Sequence, residues 1–317
     1  MSSSLPARVL FVFLDGVGVG PPDPEVNPFL RASLPTLRGL LGGSLPTLDG
    51  PEVAGPSPDG DPEVVAFPLD PLLDMEGLPQ SGTGHAALLT GRNAPVLFGR
   101  HFGPWVPVKL RPLVQEESFL ARARRRNLSC AFANAVPSGW ESSPWARRPA
   151  GPPLAAEGAG LLTRTEDELA RGEALSSEIV NTPWLTRLGF THLPDPTPRQ
   201  AGANLARIAV RHRLTFFAHY GTDHAGHRQT MDDAVVALER VDAFLGGLLR
   251  GLPGDALLVL ASDHGNVEDI SGGHSLNPTL TLLRGVGAHR CREGMERITD
   301  LADMVLHALD GAERGKD

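Results

Sequence analysis

Three short, almost uninterrupted apolar runs constrain the fold most: Val9–Leu14 (VLFVFL), Leu214–Ala218 (LTFFA) and Ala256–Ala261 (ALLVLA). None alternates polar with apolar residues, so each reads as a strand buried on both faces, inside a sheet covered by helices. An aspartate follows each run within a few residues: Asp15, Asp223 and Asp263. In open α/β sheets, ligands gather at the carboxyl ends of the strands. Three carboxylates at three such ends therefore predict one site assembled from distant parts of the chain. The expected fold class is α/β, a mostly parallel sheet flanked by helices on both faces.

The helices that cover such a sheet are readable from their spacing. Over Met231–Arg250, Ala234, Val235, Leu238, Val241, Leu245 and Leu248 form one apolar stripe, with Thr230 or Asp232 as a cap and Gly251 and Pro253 as a stop. Pro198–Arg211 and Thr299–Leu309 carry similar patterns, and a helix at Val114–Arg126 leads to a strand at Ser129–Ala133. Asp49–Pro71, rich in Pro, Gly and Asp, reads as a long loop. From about residue 98 to 197 the βα rhythm is interrupted by proline-rich turns and an arginine cluster (Arg122, Arg124, Arg125, Arg126). The expected organisation is a core of residues 1–97 and 198–317 with a smaller inserted α+β cap, 98–197, that holds substrate.

Composition narrows the function classes. The 317 residues carry 29 Lys and Arg against 37 Asp and Glu, a net charge of −8, which argues against a nucleic-acid binder. Two cysteines, Cys130 and Cys291, are too few for a disulfide framework or a zinc knuckle. The first apolar run is too short for a signal-peptide core or a membrane span, so the expectation is a cytoplasmic protein with no membrane partner.

The chemistry concentrates in two clusters of the C-terminal third. One is Thr222-Asp223-His224-Ala225-Gly226-His227; on one turn of helix Asp223 and His227 point the same way. The other is Ser262-Asp263-His264-Gly265-Asn266, followed by Gly272-Gly273-His274-Ser275-Leu276-Asn277-Pro278. With Asp15 they supply three carboxylates and three imidazoles: Asp15, Asp223, Asp263, His227, His264 and His274. Such oxygen and nitrogen donors without thiolate suit two divalent ions, manganese or zinc first, magnesium or cobalt as alternatives. A pair of metals can clamp both oxygens of an in-line displacement at phosphorus. His224 reads as a neighbour of the ligands, and His219 as structural or substrate-facing.

A hydroxyl nucleophile is offered by Pro79-Gln80-Ser81-Gly82-Thr83-Gly84-His85, a tight loop opening the helix Ala86-Ala87-Leu88-Leu89. A hydroxyl at a helix mouth meets free N–H groups and the positive dipole end, which favour phosphate. Either Ser81 or Thr83 could instead simply cap the helix.

Taken together, these motifs resemble the alkaline phosphatase superfamily, and most closely its branch of cofactor-independent phosphoglycerate mutase and phosphopentomutase. The resemblance rests on Asp15, Ser81 before Gly84-His85, Asp223 through His227, Asp263-His264-Gly265-Asn266 and His274-Ser275-Leu276-Asn277-Pro278. It implies an alkaline-phosphatase-like core with Ser81 as nucleophile. It also implies one metal held by Asp223, His227 and His274, and another by Asp15, Asp263, His264 and the Ser81 oxygen. Substrate-binding arginines of the family cannot be matched one by one. Arg92 and Asn93, just after the nucleophile helix, and Arg100, His101, Lys109 and Arg111, at the entry to the cap, are the candidate substrate contacts.

The expected activity is two-metal phosphoryl transfer from a small phosphomonoester through a phosphoserine, ending in hydrolysis. The alternatives are a phosphomutase of the branch named above and a catalytically silent metal-binding protein. A sulfatase is disfavoured because Ser81-Gly82-Thr83 lacks the Cys/Ser-x-Pro-x-Arg context.

Overall fold

The computed structural model describes residues 6–50, 52–55 and 63–310. Its centre is one seven-stranded sheet built from β1 (Arg8–Leu14), β2 (Val53–Gly55), β3 (Val64–Leu69), β4 (Cys130–Phe132), β5 (Leu214–His219), β6 (Ala256–Ala261) and β7 (Thr279–Gly285). The order is β2-β3-β7-β6-β1-β5-β4. β6, β1, β5 and β4 pair in parallel, β7 is antiparallel to β6, and β3 antiparallel to β7. β3 therefore runs with the parallel group, and five strands share one direction. The three apolar runs are the three adjacent central strands, buried along their length.

β1 shows how the sheet makes two cores. Val9, Phe11 and Phe13 face a layer containing Leu88, Phe119, Leu154 and Leu301, while Leu10, Val12 and Leu14 face one containing Leu205, Leu238 and Leu248. Alternate side chains on a strand point to opposite faces, so both must be apolar. Phe11 stacks on Phe119 at 5.2 Å and meets Phe216 edge-on at 5.5 Å. Each such ring contributes roughly 1.5–3 kcal/mol by burial.

The expected helices are present as Pro198–Ala209, Met231–Gly251 and Asp300–Asp310, with Thr230 accepting from Asp233 N–H at the start of the long one. Three expectations need correction. Val114–Arg126 is two helices, Arg111–Glu117 and Phe119–Arg125, because Ser118 leaves helical geometry (ψ 151°) and caps the second. The 49–71 stretch, of which 51 and 56–62 lie outside the described residues, is not only a loop. It contains β2 and the buried β3, whose Val64-Val65-Ala66-Phe67 run is masked in sequence by flanking prolines. The boundaries of a cap at 98–197 also do not follow the packing. β4 is the edge strand of the central sheet, and Val114, Phe119, Leu128 and Leu154 belong to the main core. What stands apart is a small cluster of Ala135, Leu169, Ala174, Trp184 and Leu193.

Candidate metal centre

The site lies where the parallel strands end. Asp15 follows β1 directly. β5 ends at His219 and passes into the helix Gly221–Arg228, which presents Asp223 and His227; β6 ends just before Ser262, Asp263 and His264. His274 precedes β7, which starts from the same edge because it runs the opposite way.

All of the ligands anticipated from sequence converge. Asp223 lies 3.3 Å from His227 Nε2 and 3.4 Å from His274 Nε2, and the two imidazole nitrogens are 3.1 Å apart. His264 Nε2 is 3.4 Å from Asp15, 3.5 Å from Asp263 and 3.0 Å from Ser81 Oγ. Ligand atoms within 4.8 Å of one another form two groups: Asp223, His264 and His274, and Asp15, His85 and Asp263. His264 thus sits at the junction of the groups rather than wholly with Asp15 and Asp263. Ser81 is the first residue of the helix Ser81–Thr90, and that helix crosses the site closely: a Cβ on Gly84 would come within 2.9 Å of an Asp263 oxygen.

The donor set passes a physical test for cations. Asp263 is fully buried with only the backbone N–H groups of Gly16 and of Asp263 itself near its carboxylate; neither oxygen is in a well-formed hydrogen bond, and Asp15 Oδ1 has no partner either. Buried charges persist when paired or bound to metal. Burial, and then the charges of Asp15 and Asp223, push the Asp263 carboxyl well above its ordinary range. Burial also raises Asp223, but hydrogen bonds from His227 and His274 outweigh it and hold the carboxyl well below that range. Burial and the neighbouring His274 lower His264 to about 4, leaving it neutral and free to donate a lone pair.

Two residues tie the ligands together without having been singled out in sequence. His85 is buried, with Nε2 at 3.4 Å from both Asp15 and Asp263. Its Nδ1 accepts the Gly151 N–H at 3.2 Å, which turns Nε2, itself without a hydrogen-bond partner, toward the two carboxylates. Glu268, fully buried, accepts from Gly18 N–H (2.8 Å), Asn266 N–H (2.7 Å), Ser275 Oγ (2.5 Å) and Asn277 Nδ2 (3.1 Å). That single carboxylate fastens the loops after Asp15, His264 and His274. A Gly-His at 84–85 was visible in the sequence, but its role depends on Gly151, far along the chain.

Most of the candidate substrate contacts are engaged elsewhere. Arg92 and Asn93 follow the far end of the ten-residue helix that Ser81 begins, roughly 15 Å away along its axis. Asn93 caps the next helix and bonds Leu73 O; Lys109 bonds Leu97 O; Arg111 bonds Val106 O and Arg147 O. Arg100 lies about 6 Å from the Phe98 and Phe102 rings, and His101 contacts Met75 O. Of this segment it is the backbone of Phe102, accepting the Thr83 N–H and donating to Thr83 Oγ1, and the Trp105 carbonyl against Gly82 that touch the helix Ser81–Thr90.

Residues 199–310, which supply the C-terminal half of this centre, match the family model of the Metalloenzyme superfamily. The matched segment is about a third of the chain. It carries Asp223, His227, Asp263, His264 and His274, while Asp15 and Ser81 come from outside it. Similarity in fold extends over nearly the whole chain. The PH0037 protein from Pyrococcus horikoshii is 13% identical with a TM-score of 0.56, covering 96% of this chain and 98% of that one. The alkaline phosphatase from the Antarctic bacterium TAB5 is 14% identical with a TM-score of 0.51, covering 96% and 99%. The C-terminal periplasmic domain of EcEptC from Escherichia coli, in complex with zinc, is 12% identical with a TM-score of 0.51, covering 95% and 81%. No curated protein sequence matches the chain. The superfamily core is thus set in an alkaline-phosphatase-like fold, and no helix among the described residues is long and apolar enough to cross a membrane.

Proposed function

We propose that the protein is a metal-dependent phosphatase that cleaves a small phosphomonoester through a phosphoserine intermediate on Ser81. The observation that carries this reading is Ser81 Oγ, 3.0 Å from His264 Nε2, in a cluster whose buried Asp263 oxygens lack any donor. Asp15, Asp263, His264 and Ser81 would hold one divalent ion and Asp223, His227 and His274 the other, manganese or zinc before magnesium or cobalt. When bound, the ions supply charge stabilisation and lower the pKa of the serine hydroxyl.

The chain's own groups do the rest. Ser81 gives up its hydroxyl proton and attacks phosphorus in line; the P–O ester bond breaks, and the leaving oxygen takes up that proton as the alcohol departs. Water then cleaves the phosphoserine and releases phosphate. In the first turn, the Thr83 N–H is bonded to Phe102 O and the Gly84 N–H to Gln80 O. The N–H groups of Ser81 and Gly82 remain for phosphate oxygens, at the positive end of the helix. His85 and Glu268 hold the carboxylates and loops in place. Hydrolysis is preferred to mutase chemistry because the cluster standing apart from the core is small. A mutase must trap a reorienting intermediate away from water.

Metal-loaded protein should release phosphate steadily from an aryl phosphate, and Ser81→Ala should lose at least about a thousandfold in kcat while keeping most of its metal. Full activity in Ser81→Ala would overturn the assignment. Isomer interconversion without phosphate release would instead establish the mutase, and no turnover with any of the four metals across a phosphoester panel the silent protein.

A further inference from the structure

The helix that carries Asp223 and His227 has a second functional face. At about 100° per residue, His224 and Arg228 lie a quarter-turn round from the metal-facing pair. They border a cavity of about 270 Å³ whose other walls include Glu178, Arg187, Asp233 and Arg240. Asp233 and Arg240, seven apart, lie on one face of the long helix Met231–Gly251. Arg187 follows the short helix Thr182–Thr186, next to Trp184 of the small separate cluster. The cavity thus lies between that cluster and the core.

Its charges are unevenly matched. Both acids are engaged: Glu178 lies 3.4 Å from His224 Nδ1, and Asp233 lies 3.2 Å from Arg228 and accepts from Thr230. Arg187 and Arg240 have no hydrogen bond or ion pair with any described residue. Three arginines against two acids leave the lining net positive before His224 is counted. The cavity adjoins the candidate metal centre through the shared helix. Arg240 lies in the field of Glu178 across the lining, but neither it nor Arg187 makes a hydrogen bond, and such guanidinium groups at the wall of a small cavity match the planar or tetrahedral oxygens of carboxylate and phosphate.

We propose that this cavity is an oxyanion-binding subsite in which Arg187 and Arg240 hold a carboxylate or phosphate group. The claim deepens the phosphatase reading and in part rests on it: the oxyanion is either the distal acidic group of the phosphomonoester or a separate small anion. One physical feature favours the first source. A substrate whose phosphate sits beside Asp223 and His227 need only pass around one turn of their helix to reach His224.

The test has two arms. In the first, calorimetry on the chelator-treated full chain uses succinate as probe and needs no turnover. The expected result is saturable binding that weakens at least tenfold in Arg187→Gln/Arg240→Gln, with circular dichroism and melting preserved. Binding equal in both proteins, or absent from the wild type, overturns the subsite whatever the reaction proves to be. In the second arm, metal-loaded protein is given ω-carboxyalkyl phosphates of increasing length and matched n-alkyl phosphates. A distal substrate group predicts that one chain length raises kcat/KM at least tenfold over its alkyl match, and that this ratio collapses in the double variant. A ratio near one at every length, with succinate still bound, assigns the subsite to a free anion. If neither phosphate series turns over while succinate binds, the phosphatase reading fails and the subsite stands.

Discussion

The two halves of the candidate metal centre are built on opposite electrostatic principles. In the deep half, Asp15, His85 and Asp263 are 4%, 1% and 0% exposed, and both Asp263 oxygens lack a hydrogen-bond donor. In the outer half, Asp223 is held by His227, His274 and the Asn266 amide at 2.6 Å, and the His227 side chain is half exposed. The outer carboxylate is satisfied by protein. The deep one has no side-chain hydrogen-bond donor, and a cation would satisfy it. A ligand's presence in a cluster therefore says little about its energetic role; its other partners decide whether metal is needed to keep it charged.

That contrast predicts substitutions of opposite sign, and these carry the largest effect. With metal removed, Asp263→Asn should stabilise the protein, because it deletes an unpaired buried charge. Asp223→Asn should destabilise it, because it breaks the bonds to His227 and His274. With metal at a thousandfold excess over Kd, wild type should gain about 4 kcal/mol, and Asp263→Asn should lose most of that gain. Denaturant melts with and without chelator measure all four states. The same sign for both variants in chelator would break the comparison.

Acidity gives the next largest effect and sets His264 against Asp263 within one window. His264 is lowered from 6.5 to about 4 in the folded state. Between those values the unfolded chain binds more protons, so this group makes metal-free stability rise with pH, by up to about 3 kcal/mol. Asp263 is shifted upward, so above its ordinary value the folded state binds more protons and stability falls as pH rises. In wild type the two slopes oppose each other. Asp263→Asn removes one, and melts of that variant should show a steeper rise from pH 4 to 6.5 than wild type. Equal slopes would mean that Asp263 does not hold a raised pKa.

How much of this was legible in sequence follows the same division between local and remote causes. β1, β5 and β6 and the ligands at their ends were readable because continuous apolar runs and a following acid are local signals. The helix Met231–Gly251 was readable from its spacing and its Thr230 cap. β3 was hidden because prolines bound a short run, and β4 could not be assigned to the central sheet because its pairing with β5 joins residues more than eighty positions apart. The segment 98–197 was misread as a separate unit for that reason. His85 and Glu268 were equally remote: their functions are set by Gly151 and by the Gly18, Ser275 and Asn277 contacts. Substrate contacts sought near the nucleophile helix were placed by proximity in sequence. Arg187 and Arg240, which line the proposed subsite, come from two distant segments.

The smallest expected effect tests whether the halves can be disturbed separately. Gly226 packs on Asn266 so closely that a Cβ there would lie 2.3 Å from Asn266 Oδ1. Gly226→Ala must therefore displace the amide, whose Nδ2 donates to the Asp223 carboxylate at 2.6 Å and to its backbone carbonyl at 3.2 Å. Overpacking of this kind costs about 1–3 kcal/mol, and here it falls on the residue that orients Asp223. The outer metal should bind roughly tenfold more weakly, as when a group supporting a ligand is lost, while the deep metal keeps its affinity. Gly84→Ala is the counterpart, since its Cβ would press on Asp263 at 2.9 Å and not on Asp223. Calorimetric titration that resolves two binding events should show each variant weakening a different one. If both variants weaken both events equally, the two halves share one mechanical support, and Glu268, which ties the loops of both, becomes the residue that couples them.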